Sequence, residues 1–536
     1  MSLPQLSRER AEIRTDEHRV LPRNTQSLCP ECLTVVPATL YESGGRVFMQ
    51  KQCSVHGSFR ELISSDARFF SLMVERDLAI TRKVAHPLCK DGRTCPQACG
   101  LCEEHLSGPI MMNIDLTHRC NLNCPVCFAN AGARREVVEL DLDQLRRLLD
   151  LSCGVHDVPI PCLQYTGGEP TVHPAFLDAL REARQRNFAQ IQAATNGVRF
   201  GQEPEFAAQA SEAGLNVAYL QFDGMTDDVY QRMRGRPLLD IKLAAIENLY
   251  AAGIRAILVP TIAKGINDDQ LGRIIEFAVE HNEAICGISW QPIAFTGRLD
   301  YRQRLALRFT AADLAREIEE QTGWIQMYRD WYPFCFVDPF VRLVEALEKT
   351  PNVTLSCSPM CGAATYLIVD SRTNKATPLP AFVDVVPLMQ TIRSAVAQLQ
   401  RGGLLNRLSV SRQLQRLHRF YHADAAPPDW PFEQFADFMM DFVDFRKRYS
   451  DNDARYKANK IMRHRPFLMA SMHFQDAYNY QLERVQRCVV HYAAPDGRIY
   501  PFCSYNSGPC HRKAIEGHFA VPLEQYQAAC RAEAVH

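Results

Sequence analysis

Between residues 110 and 293 six short apolar runs alternate with longer stretches of helical periodicity: IMMNIDLT (110–117), CLQYTG (162–167), QIQAATNG (190–197), NVAYLQFDG (216–224), RAILVPTIA (255–263) and CGISWQPI (286–293). Strands separated by helix-length inserts are not hairpins, which need only a short turn; they cross over and pair in parallel. Six such units in succession predict an α/β fold built on a parallel barrel, complete or partial. Chemistry in such folds collects at the carboxyl ends of the strands. The unusual residues of this sequence lie there.

The 20 cysteines of the 536-residue chain divide it further. They gather at residues 29 to 53, 89 to 102 and 120 to 127, with a scattered set from 335 to 530. The amino terminus has no apolar signal core and no later run holds about 18 apolar residues, which predicts a cytoplasmic protein with at most peripheral membrane contact. A reducing cytoplasm leaves thiols free, so cysteines in tight groups are expected as metal ligands. A net charge of −1 supplies no overall field to draw in nucleic acid. Single cores stop growing near roughly 250 to 300 residues, so several units are expected. They are a rubredoxin- or zinc-ribbon-like domain over 1–75, an auxiliary cluster segment over 76–109, the barrel over 110–330, and a carboxyl-terminal auxiliary-cluster and substrate domain over 331–536. Within the last, residues 338–349, 382–400 and 427–451 read as helices and CVVHYAAPDGRIYPFC (488–503) as a hairpin.

The stretch DLTHRCNLNCPVCFANAG (115–132) follows the first strand and spaces Cys120, Cys124 and Cys127 as C-x-x-x-C-x-x-C. A four-iron cluster normally takes four thiolates, so three leave one iron with an open position, as catalytic zinc keeps one. The alternatives are a structural zinc completed by His118, or buried thiols. With Phe128 directly after the third cysteine, the motif resembles that of the radical S-adenosylmethionine superfamily. The resemblance implies a partial (β/α)6 barrel of that type, with S-adenosyl-L-methionine chelating the open iron of a 4Fe-4S cluster. An external electron donor such as flavodoxin or ferredoxin would supply one electron. Reductive cleavage would then give a 5′-deoxyadenosyl radical that abstracts hydrogen from an unactivated carbon. The same resemblance assigns cofactor-binding roles to residues at successive strand ends: Gly167, Gly168 and Glu169 in TGGEP, Asn196 in TNG, Gln221 and Asp223 in QFDG, Arg234 beyond, Val259 in VPT and Gln291 in WQP. Glu169 is expected to receive the methionine ammonium, and the glycines to let backbone approach the ligand.

Cys29, Cys32, Cys53 and His56 form two knuckles about twenty residues apart, a tetrahedral set for one mononuclear zinc or iron. Cys89, Cys95, Cys99 and Cys102 fit a complete auxiliary four-iron cluster or a zinc knuckle. Cys357 and Cys361, with Cys488 and Cys503 on the arms of the hairpin, would close a second auxiliary cluster, Cys335 and Cys510 being substitutes. Cys153, Cys162, Cys286 and Cys530 read as isolated buried thiols.

CPEC…CSVHG, the four-cysteine group, HRCNLNCPVCFANAG, CSPMCGAATYLIVD and CVVHYAAPDGRIYPFCSYN together resemble the family containing the archaeal tetraether lipid synthase. Members are also described as methylating a pterin precursor. The first expectation is therefore a lipid or other aliphatic substrate, joined through new C–C bonds. Phe432, Phe435, Phe438, Met439, Phe442 and Phe445 form one helical stripe that would either line an apolar channel or pack into the domain core. The alternatives are a radical methyltransferase acting on a pterin-like molecule and a non-catalytic zinc-binding scaffold. Cys124→Ala is expected to abolish 5′-deoxyadenosine formation in anaerobic reactions while sparing the ribbon metal; retained cleavage would refute the assignment.

Overall fold

The computed structural model describes residues 20–84, 87–89, 95–132, 136–154, 158–349, 352, 354–443 and 461–533. The six expected strands are Met111–Thr117, Cys162–Gly167, Gln190–Thr195, Val217–Gln221, Arg255–Val259 and Ile285–Pro292, all neighbours in one sheet and all parallel. The register is continuous, with Ile114, Tyr165, Ala193, Ala218 and Ala256 in one row across five strands. Helices cover the outer face. Phe176–Gln185 buries Phe176, Ala179, Leu180 and Ala183, the one-sided spacing of a helix against a sheet. The sheet curls into a partial barrel, and its interior becomes the site.

The carboxyl-terminal third continues this sheet. His464–Met472 pairs in parallel with Ile285–Pro292, and Val490–Ala493 pairs in parallel with Met111–Thr117, making eight parallel strands. Antiparallel strands Gly362–Asp370 and Ile499–Pro501 continue it on either side. The expected helices form at Asp338–Glu348, Val385–Arg401 and Phe432–Val443; residues 444–451 of the third lie outside the described residues. The hairpin turns at Gly497, whose φ of 78° suits glycine.

Residues 23 to 64 form a four-stranded antiparallel sheet, Arg23–Leu28, Val35–Ser43, Arg46–Cys53 and Gly57–Ser64 in sequence order. Gly44 and Gly45, with φ of 60° and 73°, make the two-residue turn that the right-handed twist of a hairpin favours. This small sheet is fastened to the body by buried charge. Lys51 Nζ donates to Ser27 Oγ at 3.1 Å and to the carbonyls of Leu28, Ala477 and Tyr478 at 2.7, 3.0 and 2.8 Å. Burial pulls the amine down to about 8. Glu61 receives Arg304 at 3.0 Å and Arg308 at 2.6 Å, and Arg308 also reaches Asp476 at 3.0 Å. Removing one member of such a set strands the others in a dry interior. Lys51→Met is expected to cost about 3 kcal/mol and to speed amide exchange across residues 23 to 64, read by hydrogen–deuterium exchange.

Candidate active site

The triplet sits on the loop after Met111–Thr117, and Cys120, Cys124 and Cys127 line one end of a cavity of about 620 Å³. Phe128, Gly167, Gly168, Glu169, Asn196 and Gln221 line it too, as do Arg234, Val259 and Gln291. Burial pushes Cys120 up to about 12 and raises Cys124, while the Arg234 guanidinium draws Cys124 back. Thiols held this dry ionise readily only on a metal, which deprotonates them on binding. Three sulfurs facing one cavity, with no fourth cysteine among the described residues of the loop, fit a cluster that keeps an open position. His118 does not complete the set: its Nε2 lies 3.2 Å from Glu516 Oε1.

Two contacts hold the loop. A Cβ on Gly167 would strike the Thr117 carbonyl and one on Gly168 the Arg119 carbonyl. The amides of Gly168 and Glu169 bond those carbonyls at 2.8 and 2.9 Å. These glycines thus admit the backbone that launches the cluster loop. On the other side, a Cβ on Gly297 would strike the Cys127 and Phe128 carbonyls. Arg298 follows, donating to Asn123 Oδ1 at 2.6 Å and to the Cys124 and Ala131 carbonyls at 2.7 Å each. Neither Gly297 nor Arg298 belongs to a motif of the sequence analysis; the one signal is TGR at 296–298, shortly after the sixth strand.

Glu169 is 1% exposed, and its carboxylate accepts from Thr171 Oγ1 at 2.6 Å, Thr195 Oγ1 at 2.7 Å and the Asn196 amide at 2.7 Å. Its first task is to tie the second strand end to the third. Asp223 does not line the cavity itself. Its two oxygens are taken by Arg234, at 2.6 and 2.8 Å, which fixes that guanidinium against the Val126 carbonyl at 2.8 Å. Lys242, absent from the sequence reading, is fully buried and donates to the Asn196 carbonyl and, at 2.7 Å, to Gln221 Oε1. Desolvation lowers it to about 7. A lysine inside an otherwise ordinary amphipathic helix gave no signal.

The cavity has two contrasting regions. Deep in the barrel, Gln190 Nε2 donates to Gln192 Oε1 at 2.8 Å, Gln192 Nε2 to Gln164 Oε1 at 2.6 Å, and Gln164 Nε2 to Asn113 Oδ1 at 2.7 Å. Asn113 Nδ2 ends the row on the His491 carbonyl at 2.9 Å. A carbonyl can only accept, so it sets the direction of all four amides and leaves Gln190 Oε1 as the terminal acceptor. The other region is apolar: Phe336, Leu388, Met389, Phe435, Phe438 and Met439 line it. Phe435 and Met439 also belong to a buried core cluster, so the stripe does both things expected of it. Phe445 and the side chain of Phe442 lie outside the described residues.

Among the described residues, Cys29, Cys32, Cys53 and His56 bring four ligand atoms within 4.8 Å of one another. Cys32 and Cys53 sulfurs are 3.9 Å apart, and His56 Nδ1 is 3.6 Å from Cys29 and 3.5 Å from Cys53. Tetrahedral zinc, with bonds of about 2.3 Å to sulfur and 2.0 Å to nitrogen, spaces its ligands by roughly 3.5 to 3.8 Å. The set fits. Thr34 draws Cys32 down to about 6, so a thiolate is at hand.

Cys89 and Cys102 pair through one backbone bridge, and the bond from Cys95 lowers Cys102 to about 6. Burial pushes Cys99 up to about 12, with Cys102 and Cys89 adding to the rise. Burial, then Cys503 and Cys361, raise Cys488; Cys357 is raised by burial and by Cys361. Cys335 packs beside Cys357, while Cys510 bonds the Asn506 carbonyl at 3.4 Å and has Arg512, Lys513 and Glu516 as charged neighbours. Cys95 and Cys503 both pack against the buried cluster of Tyr480, which brings one member of each expected auxiliary group to the same wall. Phe128 lies 5.3 Å from Phe502, placing an aromatic between the triplet and Cys503. Of the thiols expected to be isolated and buried, Cys162 is so, Cys153 is exposed and Cys286 lines the cavity; the Cys530 side chain lies outside the described residues.

Residues 114–278 match the family model of the radical SAM superfamily, and residues 21–65 that of the HMPTM N-terminal zinc ribbon domain. The chain is 35% identical over 95% of its length to 7,8-dihydro-6-hydroxymethylpterin dimethyltransferase of Methanocaldococcus jannaschii, covering 97% of that protein. It is 25% identical to GTP 3′,8-cyclase of Paracoccus denitrificans, over 54% of this chain and 86% of that one. Among solved structures, SuiB of Streptococcus suis bound to precursor peptide SuiA matches 56% of this chain and 70% of its own at 16% identity, with a TM-score of 0.34. No described helix is long and apolar enough to cross a membrane. Arg298→Leu is expected to lower 5′-deoxyadenosine formation by about tenfold or more and to reduce iron per chain, while the ribbon retains its metal.

Proposed function

The chain belongs to the radical S-adenosylmethionine superfamily, in the family that includes 7,8-dihydro-6-hydroxymethylpterin dimethyltransferase, and from this premise we propose that it methylates carbon on a pterin-like heterocycle. It is a radical S-adenosylmethionine enzyme, using that cofactor, a 4Fe-4S cluster and further metal. The match along nearly the whole chain carries the reading. Bound at Cys120, Cys124 and Cys127, the cluster would supply the electron that splits the sulfonium. The protein's own part is placement. Arg234, fixed by Asp223, sets positive charge beside the thiolates, and Glu169 and Lys242 brace the strand ends around the cofactor.

The amide row supports a flat, polar substrate. A heterocycle with alternating donors and acceptors along one edge meets a surface whose polarity is set by the His491 carbonyl rather than free to flip. The cavity volume of about 620 Å³ lies within the usual range for small-molecule sites. The methyl group would come from a second S-adenosylmethionine. Anaerobic reduced enzyme given S-adenosylmethionine and 7,8-dihydro-6-hydroxymethylpterin should yield pterin heavier by one or two methylene units in mass spectrometry. Unchanged pterin beside ongoing 5′-deoxyadenosine formation would sink the proposal.

A second reading, coupling of alkyl chain ends, is favoured by one observation: the apolar region formed by Phe336, Leu388, Met389, Phe435, Phe438 and Met439. Its mark would be a pair of chains lacking two hydrogens in cellular lipids. Gln192→Leu distinguishes the two. It interrupts the amide row and is expected to weaken pterin binding by about tenfold or more, measured by titration of the holoenzyme, because buried amides are left unpaired. Alkyl-chain binding should change little.

A further inference from the structure

Helix Leu404–Gln415 is apolar on two opposite sides. Val410 is buried, and Leu414 and the following Leu417 pack on the core, which accounts for one side. Leu404, Leu405 and Leu408 point the other way and are 73%, 82% and 49% exposed. Leucines so placed bury little area on folding. The segment that carries them, bounded by the exposed Asp384 and Asp424, is also unusual in charge. From Val385 to Ala423 the sequence holds six arginines and no aspartate, glutamate or lysine, in a chain whose acidic and basic residues number 61 and 60. All six arginines are exposed: Arg393, Arg401, Arg407, Arg412, Arg416 and Arg419.

We propose that this face docks on an anionic lipid bilayer, with Leu404, Leu405 and Leu408 entering the boundary between headgroups and acyl chains and the arginines meeting phosphate. The charge pattern argues for that occupant. Interfacial helices combine a few protruding apolar side chains with flanking basic residues, and guanidinium pairs with phosphate in bidentate fashion. A protein partner would instead be expected to find a concave site with an aromatic anchor, whereas these leucines protrude from a convex helix. The acidic residues Glu433, Asp437 and Asp441 lie on the separate helix Phe432–Val443, whose face would remain in water. The preceding helix Val385–Arg401 contributes Val385, Leu388 and Met389 to the cavity lining.

The test is cosedimentation of the anaerobic holoenzyme with vesicles of phosphatidylcholine, or of an equal mixture of phosphatidylcholine and phosphatidylglycerol. Binding should be at least about tenfold tighter to the anionic vesicles and should weaken with added salt. A triple variant, Leu404→Ser, Leu405→Ser and Leu408→Ser, and a double variant, Arg407→Glu and Arg412→Glu, should each lose it; the second keeps the test decisive if the first folds poorly. Absence of binding, or equal binding to both vesicles, overturns the proposal. So does self-association in light scattering that the leucine variant abolishes, which would give the face to a second copy of the chain.

Discussion

Three sulfurs have to face one cavity from a loop that has no regular structure of its own, and everything near it is arranged around that need. The loop borrows rigidity from both flanks. On one side the second strand comes so close that only glycine fits at 167 and 168, and its amides bond the Thr117 and Arg119 carbonyls. On the other, Gly297 lets the chain after the sixth strand press on the Cys127 and Phe128 carbonyls while Arg298 ties Asn123, Cys124 and Ala131 together. A ligand set needs support of this kind because misplacement by about an ångström is enough to spoil a site.

The walls around it are charged and dry, an arrangement that costs free energy unless every group is paired. Asp223 and Arg234 satisfy each other at two points, Glu169 is surrounded by hydroxyl and amide donors, and Lys242 donates to Asn196 and Gln221. Such groups hold geometry because none can move without leaving a partner bare. The same logic joins the ribbon to the body through Lys51, Glu61, Arg308 and Asp476.

The parallel core was legible because its strands are apolar, short and regularly interrupted by helices, a local pattern. Val490–Ala493 is legible as an arm of a hairpin, but that it and His464–Met472 join the parallel core is a long-range choice that no local pattern encodes. The same division runs through the site. Cys120, Cys124, Cys127 and the strand-end residues announced themselves by spacing, whereas Lys242, Arg298 and the amides of Gln164, Gln190 and Gln192 are common residue types made special by what the fold brings beside them. Gly167 and Gly168 line the cavity, and the fold shows that they also leave room for the Thr117 and Arg119 carbonyls. Asp223 and Arg234 both stand out in the sequence, but that the carboxylate fixes the guanidinium is visible only in the fold.

The pairing of Met111–Thr117 with Val490–Ala493 has a consequence for how the polypeptide is made. As it leaves the ribosome, the first strand of the core finds one neighbour, Cys162–Gly167, soon and the other, Val490–Ala493, only after the rest of the parallel core has been made. Until then that edge of the strand stays unpaired. A nascent chain stalled before Val490 would present an unprotected edge, the kind of surface that chaperones recognise.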